Sequence, residues 1–129
     1  MEPVATPATL TTVCLGATDD TLRRLLSDVF GDMGFRIHYA PLWHHAPDMV
    51  LAAVQWRDAR GVLAAAREVA DTRPILAILP YSDERLVRLA REEGAHACYA
   101  MDTPLASLRA AIGVLLPGGP ARRTGVVQG

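Results

Sequence analysis

The chain has 129 residues, half of them apolar, a charged fraction of 21% and a formal net charge of −1. That is one domain with enough apolar material for a real core, and no basic excess to grip a nucleic-acid backbone. No apolar run is long enough to span a bilayer, the first residues lack the pattern of a secretory signal, and two cysteines are too few for a disulfide framework, so a cytoplasmic protein is expected.

Residues 1–10 are rich in Pro and Thr and read as a flexible leader. Thr11 to Gly16 is short, β-branched and apolar, and predicts a buried strand. Thr18 or Asp19 then caps a helix, with acid in its first turn. Leu22, Leu25, Leu26, Val29, Phe30 and Met33 fall at helical spacing, and Gly31 and Gly34 end the helix. Phe35 to Ala40 predicts a second strand. Only the short Pro41–Pro47 stretch, with Trp43, His44 and His45, separates it from a third, Asp48 to Val54, which is apolar throughout as in a strand covered on both faces.

A polar loop over 55–60 precedes an alanine-rich helix over Gly61–Asp71. Pro74 to Leu79 is a fourth strand. Ser82, Asp83 and Glu84 open a helix that runs to Glu93 and stops at Gly94. Ala97 to Met101 is a fifth strand, and Thr103 caps a last helix with Pro104 at its first position. Residues 117–129, rich in Gly and Pro, read as a linker or disordered tail. Strands alternating with helices predict a parallel sheet covered on both faces, with binding sites at the carboxyl ends of its strands.

One absence narrows the chemistry. All 13 basic residues are arginine, and there is neither lysine nor asparagine. A Walker A phosphate loop, a Schiff-base lysine and a lysine general base are therefore excluded. No serine, cysteine or histidine stands in a pattern that pairs a nucleophile with a base, so no enzyme is expected; Ser82 and Cys14 stand bare. His44 and His45 are adjacent and cannot share a helix face as two ligands, and His38 and His96 are scattered, so neither metal nor cofactor is expected. Cys14 and Cys98 read as core residues.

Several segments together resemble the receiver domain of bacterial response regulators, over roughly residues 11–116. Pro47-Asp48-Met49-Val50-Leu51 is similar to the run into that family's third strand, and Pro74 through Leu79 to its fourth. Gly61 follows Ala53 by eight residues, the family's spacing from phosphoacceptor aspartate to loop glycine. Glu93-Gly94-Ala95 resembles the pair before its fifth strand, and Asp102-Thr103-Pro104 the entry to its last helix. The resemblance implies a flavodoxin-like (CheY-like) doubly wound sheet of order 2-1-3-4-5, with the second helix shortened or missing.

The family's catalytic residues do not carry over. Its metal-holding acidic pair falls on Ala17 and Thr18, its phosphoacceptor on Ala53, its hydroxyl residue on Leu79 and its lysine on Met101. The switch aromatic falls on Cys98, one place from Tyr99. Aspartyl phosphorylation needs a carboxylate nucleophile, a divalent metal and a cation to hold the product. The resemblance therefore implies a pseudo-receiver that acts by protein contact or dimerisation, the regulatory part of an atypical response regulator with an output domain beyond residue 129. It implies no direct contact with nucleic acid or membrane.

Two alternatives stand beside this reading. A conventional receiver results if a two-residue slip brings Asp19 and Asp20 to the metal positions, at the cost of turning the apolar face of the first helix by about 200°. A small-molecule domain of the cobalamin type shares the sheet, but no histidine follows Asp20 until His38, so its motif is absent. Trp56, beside the lost phosphorylation position, is a candidate plug of the emptied pocket or a binding anchor; its plainer role is packing on the helix that follows. Arg85, Arg88, Arg91 and Glu92, with Tyr99 and Arg109, form a candidate interface, and the first helix with Arg23 and Arg24 is its rival.

Overall fold

The computed structural model describes residues 10–17, 19–39 and 47–116. The elements run β1 (Leu10–Leu15), α1 (Asp20–Asp32), β2 (Phe35–Tyr39), β3 (Met49–Ala53), α2 (Ala59–Ala70), β4 (Ile75–Leu79), α3 (Glu84–Glu92), β5 (Ala97–Ala100) and α4 (Leu105–Leu115). All strand pairs are parallel and the order is β2-β1-β3-β4-β5. This is the flavodoxin-like sheet that the alternation and the resemblance predict. Residues 40–46, with Trp43, His44 and His45, lie outside the described residues, as do the leader to residue 9 and the tail from 117.

Strand alternation splits the core in two. Met49, Leu51 and Ala53 of β3 face α1 and α4, joining Leu26, Phe30, Leu108 and Ile112. Val50 and Ala52, with Val54 beyond the strand end, face α2 and α3, joining Leu63, Ala66, Leu86 and Ala90. Every residue of β3 and β4 is buried, which is why both read as unbroken apolar runs. Phe30 meets Phe35 edge to face at 5.7 Å. The hydroxyl of buried Thr12 donates to the Met49 carbonyl at 2.8 Å, so the strand carries no unpaired polar side chain there.

Helix ends depart from the sequence reading in three places, each for a local reason. The second helix begins at Ala59, two residues earlier than expected; Asp58 precedes it, but its carboxylate takes the Gln55 N–H at 3.0 Å instead of capping the turn. Asp83 alone caps α3, while Ser82 turns to Asp102. Before α4 it is Pro104 that occupies the cap position, and the Thr103 hydroxyl donates to the Ala100 carbonyl at 2.6 Å. Leu25, placed on the apolar face of α1 by its spacing, stays 44% exposed, lining a groove with Leu105 and Leu108 of α4. Cys14 and Cys98 are both free thiols, with β3 and β4 between their strands. Burial pushes the Cys14 thiol up to about 12, so it packs as a small apolar group.

Candidate functional site at the strand ends

In a sheet of this order the crevice opens between β1 and β3, where the chain reverses its direction of winding. Gly16 and Ala53 stand at its two sides. Gly16 has φ +85°, and a Cβ there would lie 2.3 Å from the Ala53 carbonyl oxygen. The crevice is a cavity of about 260 Å³ whose walls include Gly16, Leu22, Ala53, Leu79, Pro80 and Met101. Ala17 is buried, Ala53 is 7% exposed, and Leu79 is sealed. The tertiary structure thus gathers Ala53, Leu79 and Met101 around one opening and sets Ala17 beside it. Thr18 lies outside the described residues. The side chains of the gathered four supply no carboxylate, hydroxyl or cation.

The first helix has the rotation that its apolar spacing predicts. Leu26 and Phe30 are buried, with Leu22, Val29 and Met33 packed against the same cluster. Asp19 is the cap of α1, its Oδ2 accepting the Leu22 N–H at 3.0 Å, and Asp20 is exposed in the first turn. The Ala17 carbonyl, the oxygen nearest in sequence to the family's metal position, already accepts from Arg23 Nε at 2.5 Å. Magnesium prefers several hard oxygen ligands. Titration to low millimolar magnesium is therefore expected to leave the amide resonances of residues 16–20 and 53–58 unmoved. A saturable shift confined to them would favour the slipped arrangement with Asp19 and Asp20 as ligands. Among the described residues no three His, Cys, Asp or Glu side chains stand together as a metal site.

Trp56 does not line this cavity. It reaches across to the next loop, where Nε1 donates to Asp83 Oδ2 at 3.0 Å and the Arg85 guanidinium lies 5.6 Å from the ring centroid. The Asp83 Oδ1 takes the backbone N–H groups of Arg85 and Leu86, so this carboxylate fastens the loop after β3 to the start of α3. The indole N–H above all holds the Asp83 carboxyl below the usual aspartate range. A second carboxylate does the same one loop further on. Asp102 Oδ1 accepts from the Ser82 N–H at 2.9 Å and its hydroxyl at 2.8 Å, which holds its carboxyl low as well. Neither long-range partner is visible in sequence spacing: Trp56 and Asp83 are 27 residues apart.

The residues of the candidate interface differ in exposure. Tyr99 is 5% exposed and packs in the cluster with α1 and α4, its hydroxyl donating to the Thr103 carbonyl at 2.8 Å, and it also lines the groove between α3 and α4. Cys98 is the β5 residue that faces α3. Arg85 and Arg91 are six residues apart, which sets them about 120° apart round the helix. Arg85 thus lies over Trp56, while Arg91 stands near enough to Cys98 to bear on its thiol. Ser107 lines the groove between α3 and α4, whereas Arg109, two residues on, is turned about 200° away. Arg88, Arg91 and Glu92 remain together as an exposed set. On the rival surface, Arg23 does not project. It is spent on the Ala17 carbonyl and lies 5.0 Å over the Tyr39 ring, leaving Arg24 exposed alone.

No protein-family model matches the chain, and no curated protein matches it. Solved structures do. A two-component response regulator from Clostridium difficile superposes with a TM-score of 0.66 at 15% identity, covering 84% of this chain and 97% of its own. A response regulator from Thermotoga maritima gives 0.68 at 14% identity, covering 85% and 99%. A chemotaxis protein of Vibrio cholerae gives 0.68 at 14% identity, covering 84% and 100%. The chain has the receiver-domain fold. Among the described residues, the crevice at the β1 and β3 ends is walled by apolar side chains and Gln55, with no carboxylate, hydroxyl or cation.

Proposed function

We propose that this receiver-like domain is a non-phosphorylatable, non-enzymatic signalling module, the regulatory domain of an atypical response regulator, acting by protein contact or dimerisation in the cytoplasm. The observation that carries this is the set of side chains around the crevice. Where transfer of a phosphoryl group to aspartate needs a nucleophile, a hydroxyl and a cation, the side chains are Ala53, Leu79 and Met101. A domain without that chemistry changes state only through a partner with different affinities for its states, or presents one fixed surface.

The contact surface in this reading is the outer face of α3 with the groove beside it. That groove, about 370 Å³, runs over β5 between α3 and α4, with Val87, Cys98, Ala100 and Ser107 among its walls. Arg88, Arg91 and Glu92 stand exposed on the same helix, and among the described residues neither arginine has a carboxylate partner. A contact built on such arginines weakens with salt. Light scattering across protein concentration tests it. Arg88→Glu with Arg91→Glu is expected to abolish self-association, while Arg24→Glu leaves it intact. Loss in the Arg24→Glu variant alone would move the interface to α1. A parent that is monomeric throughout, or self-association that survives both changes, would overturn the assignment.

A further inference from the structure

The crevice at the strand ends is a cavity of about 260 Å³ at the switch point of the sheet, where folds of this class hold their ligands. Its depth has two causes in the sequence. Gly16 sits at φ +85°, and a Cβ there would lie 2.3 Å from the Ala53 carbonyl oxygen, so the backbone admits no side chain at that wall. Ala53, across from it, contributes only a methyl group. Around them stand Leu22, Ile78, Leu79 and Met101, and among the described residues Gln55 supplies the one polar side chain of the walls.

The loops that carry these walls are tied to one another. Trp56, next to Gln55, donates to Asp83 at 3.0 Å. Ser82, two residues beyond Pro80, donates both its N–H and its hydroxyl to Asp102, which adjoins Met101. The ends of β3, β4 and β5 are thus fixed in relation to one another through residues beside the cavity. A pocket formed in advance loses little freedom when it is filled, as is usual for small-molecule sites.

Wall chemistry and volume then select the occupant. A charged group entering the cavity would give up its hydration and meet no opposite charge on the wall side chains. An apolar group gains by leaving water. An apolar protein cavity of about 150 Å³ takes benzene, so this one has room for a molecule on the order of ten non-hydrogen atoms. The Gln55 amide both donates and accepts, so it can meet one hydroxyl or carbonyl.

We infer that this crevice binds a small uncharged apolar molecule, aromatic or alicyclic, whose single hydroxyl or carbonyl meets the Gln55 amide. The site rests on its wall side chains and not on the α3–β5 contact face, so the two assignments fail independently. Titration of the full chain with para-cresol at neutral pH, followed by amide resonances, tests it. Saturable shifts are expected at residues 16, 53–55, 78–79 and 101, with half-saturation on the order of 10 µM to 1 mM for so small a ligand. Benzoate and benzylamine, charged molecules of similar size, should bind at least about tenfold more weakly. Ala53→Met extends a side chain into the cavity and should abolish binding. Met101→Ala enlarges it and should shift preference from para-cresol towards the larger naphthol, on the order of tenfold relative to the parent. Shifts that stay linear to the solubility limit would overturn the inference. So would a charged probe that binds as tightly as para-cresol, affinity that survives Ala53→Met in a folded variant, or an unchanged preference in Met101→Ala.

Discussion

After incubation with acetyl phosphate and magnesium, the intact mass of the protein is expected to be unchanged. Phosphoryl transfer to aspartate asks for an oxygen nucleophile in line with the leaving group, and position 53 offers a methyl group. The other requirements are lacking together with the nucleophile. The position that would hold the product's charge is Met101, in a chain with no lysine, and Ala17 has no oxygen on its side chain. For the same reason Ala53→Asp alone is expected to stay unmodified. It would place a carboxylate at a 7% exposed position beside Leu22 and Ile78, where burial favours its protonated form. A labile adduct of one phosphoryl mass on the parent protein would overturn the proposed function. Tandem mass spectrometry after borohydride trapping would show whether Asp19 or Asp20 had carried it.

Gly16→Ala is expected to be the most damaging single-methyl change in the domain. At φ +85° an L-residue is strained by about 1–2 kcal/mol before any contact is counted. The new Cβ would also stand 2.3 Å from the Ala53 carbonyl oxygen and 3.1 Å from Val62 Cγ1. The carbonyl is backbone at the end of a fully buried strand and cannot swing aside as a side chain does. Together these should cost about 3 kcal/mol or more, lowering the melting temperature by on the order of 10 °C. Gly61→Ala is the matched control. Gly61 lies within α2, and a Cβ there meets nothing within 4 Å. That change should raise stability by about 0.5–1 kcal/mol, because alanine loses less backbone freedom in a helix. Thermal unfolding of the two variants measures the difference, and equal melting temperatures would show that the loop after β1 yields freely.

Much of this architecture is written in local periodicity. Unbroken apolar runs at 49–54 and 74–79 identify strands covered on both faces, and Leu22, Leu26 and Phe30 set the rotation of α1 within the fold. The identities at the strand ends are legible too, since they depend only on residue type and spacing: Ala53 and Met101 stand where they do in any drawing of the chain. Even the burial of Tyr99 follows from strand parity, because adjacent residues point to opposite faces and Cys98 takes the side of α3.

Tertiary structure alone decides how the loops are tied. Trp56 bonds to an aspartate 27 residues away, and Ser82 to one 20 residues away. Arg23 is spent on Ala17 and Tyr39, and three arginines that share α3 divide among different surfaces. Periodicity fixes which side of its own element a residue occupies, because that is a property of the local backbone. It is silent about which neighbouring loop arrives there, because parallel crossovers bring distant segments together at the strand ends, and a polar or aromatic side chain then bonds to whatever stands within reach.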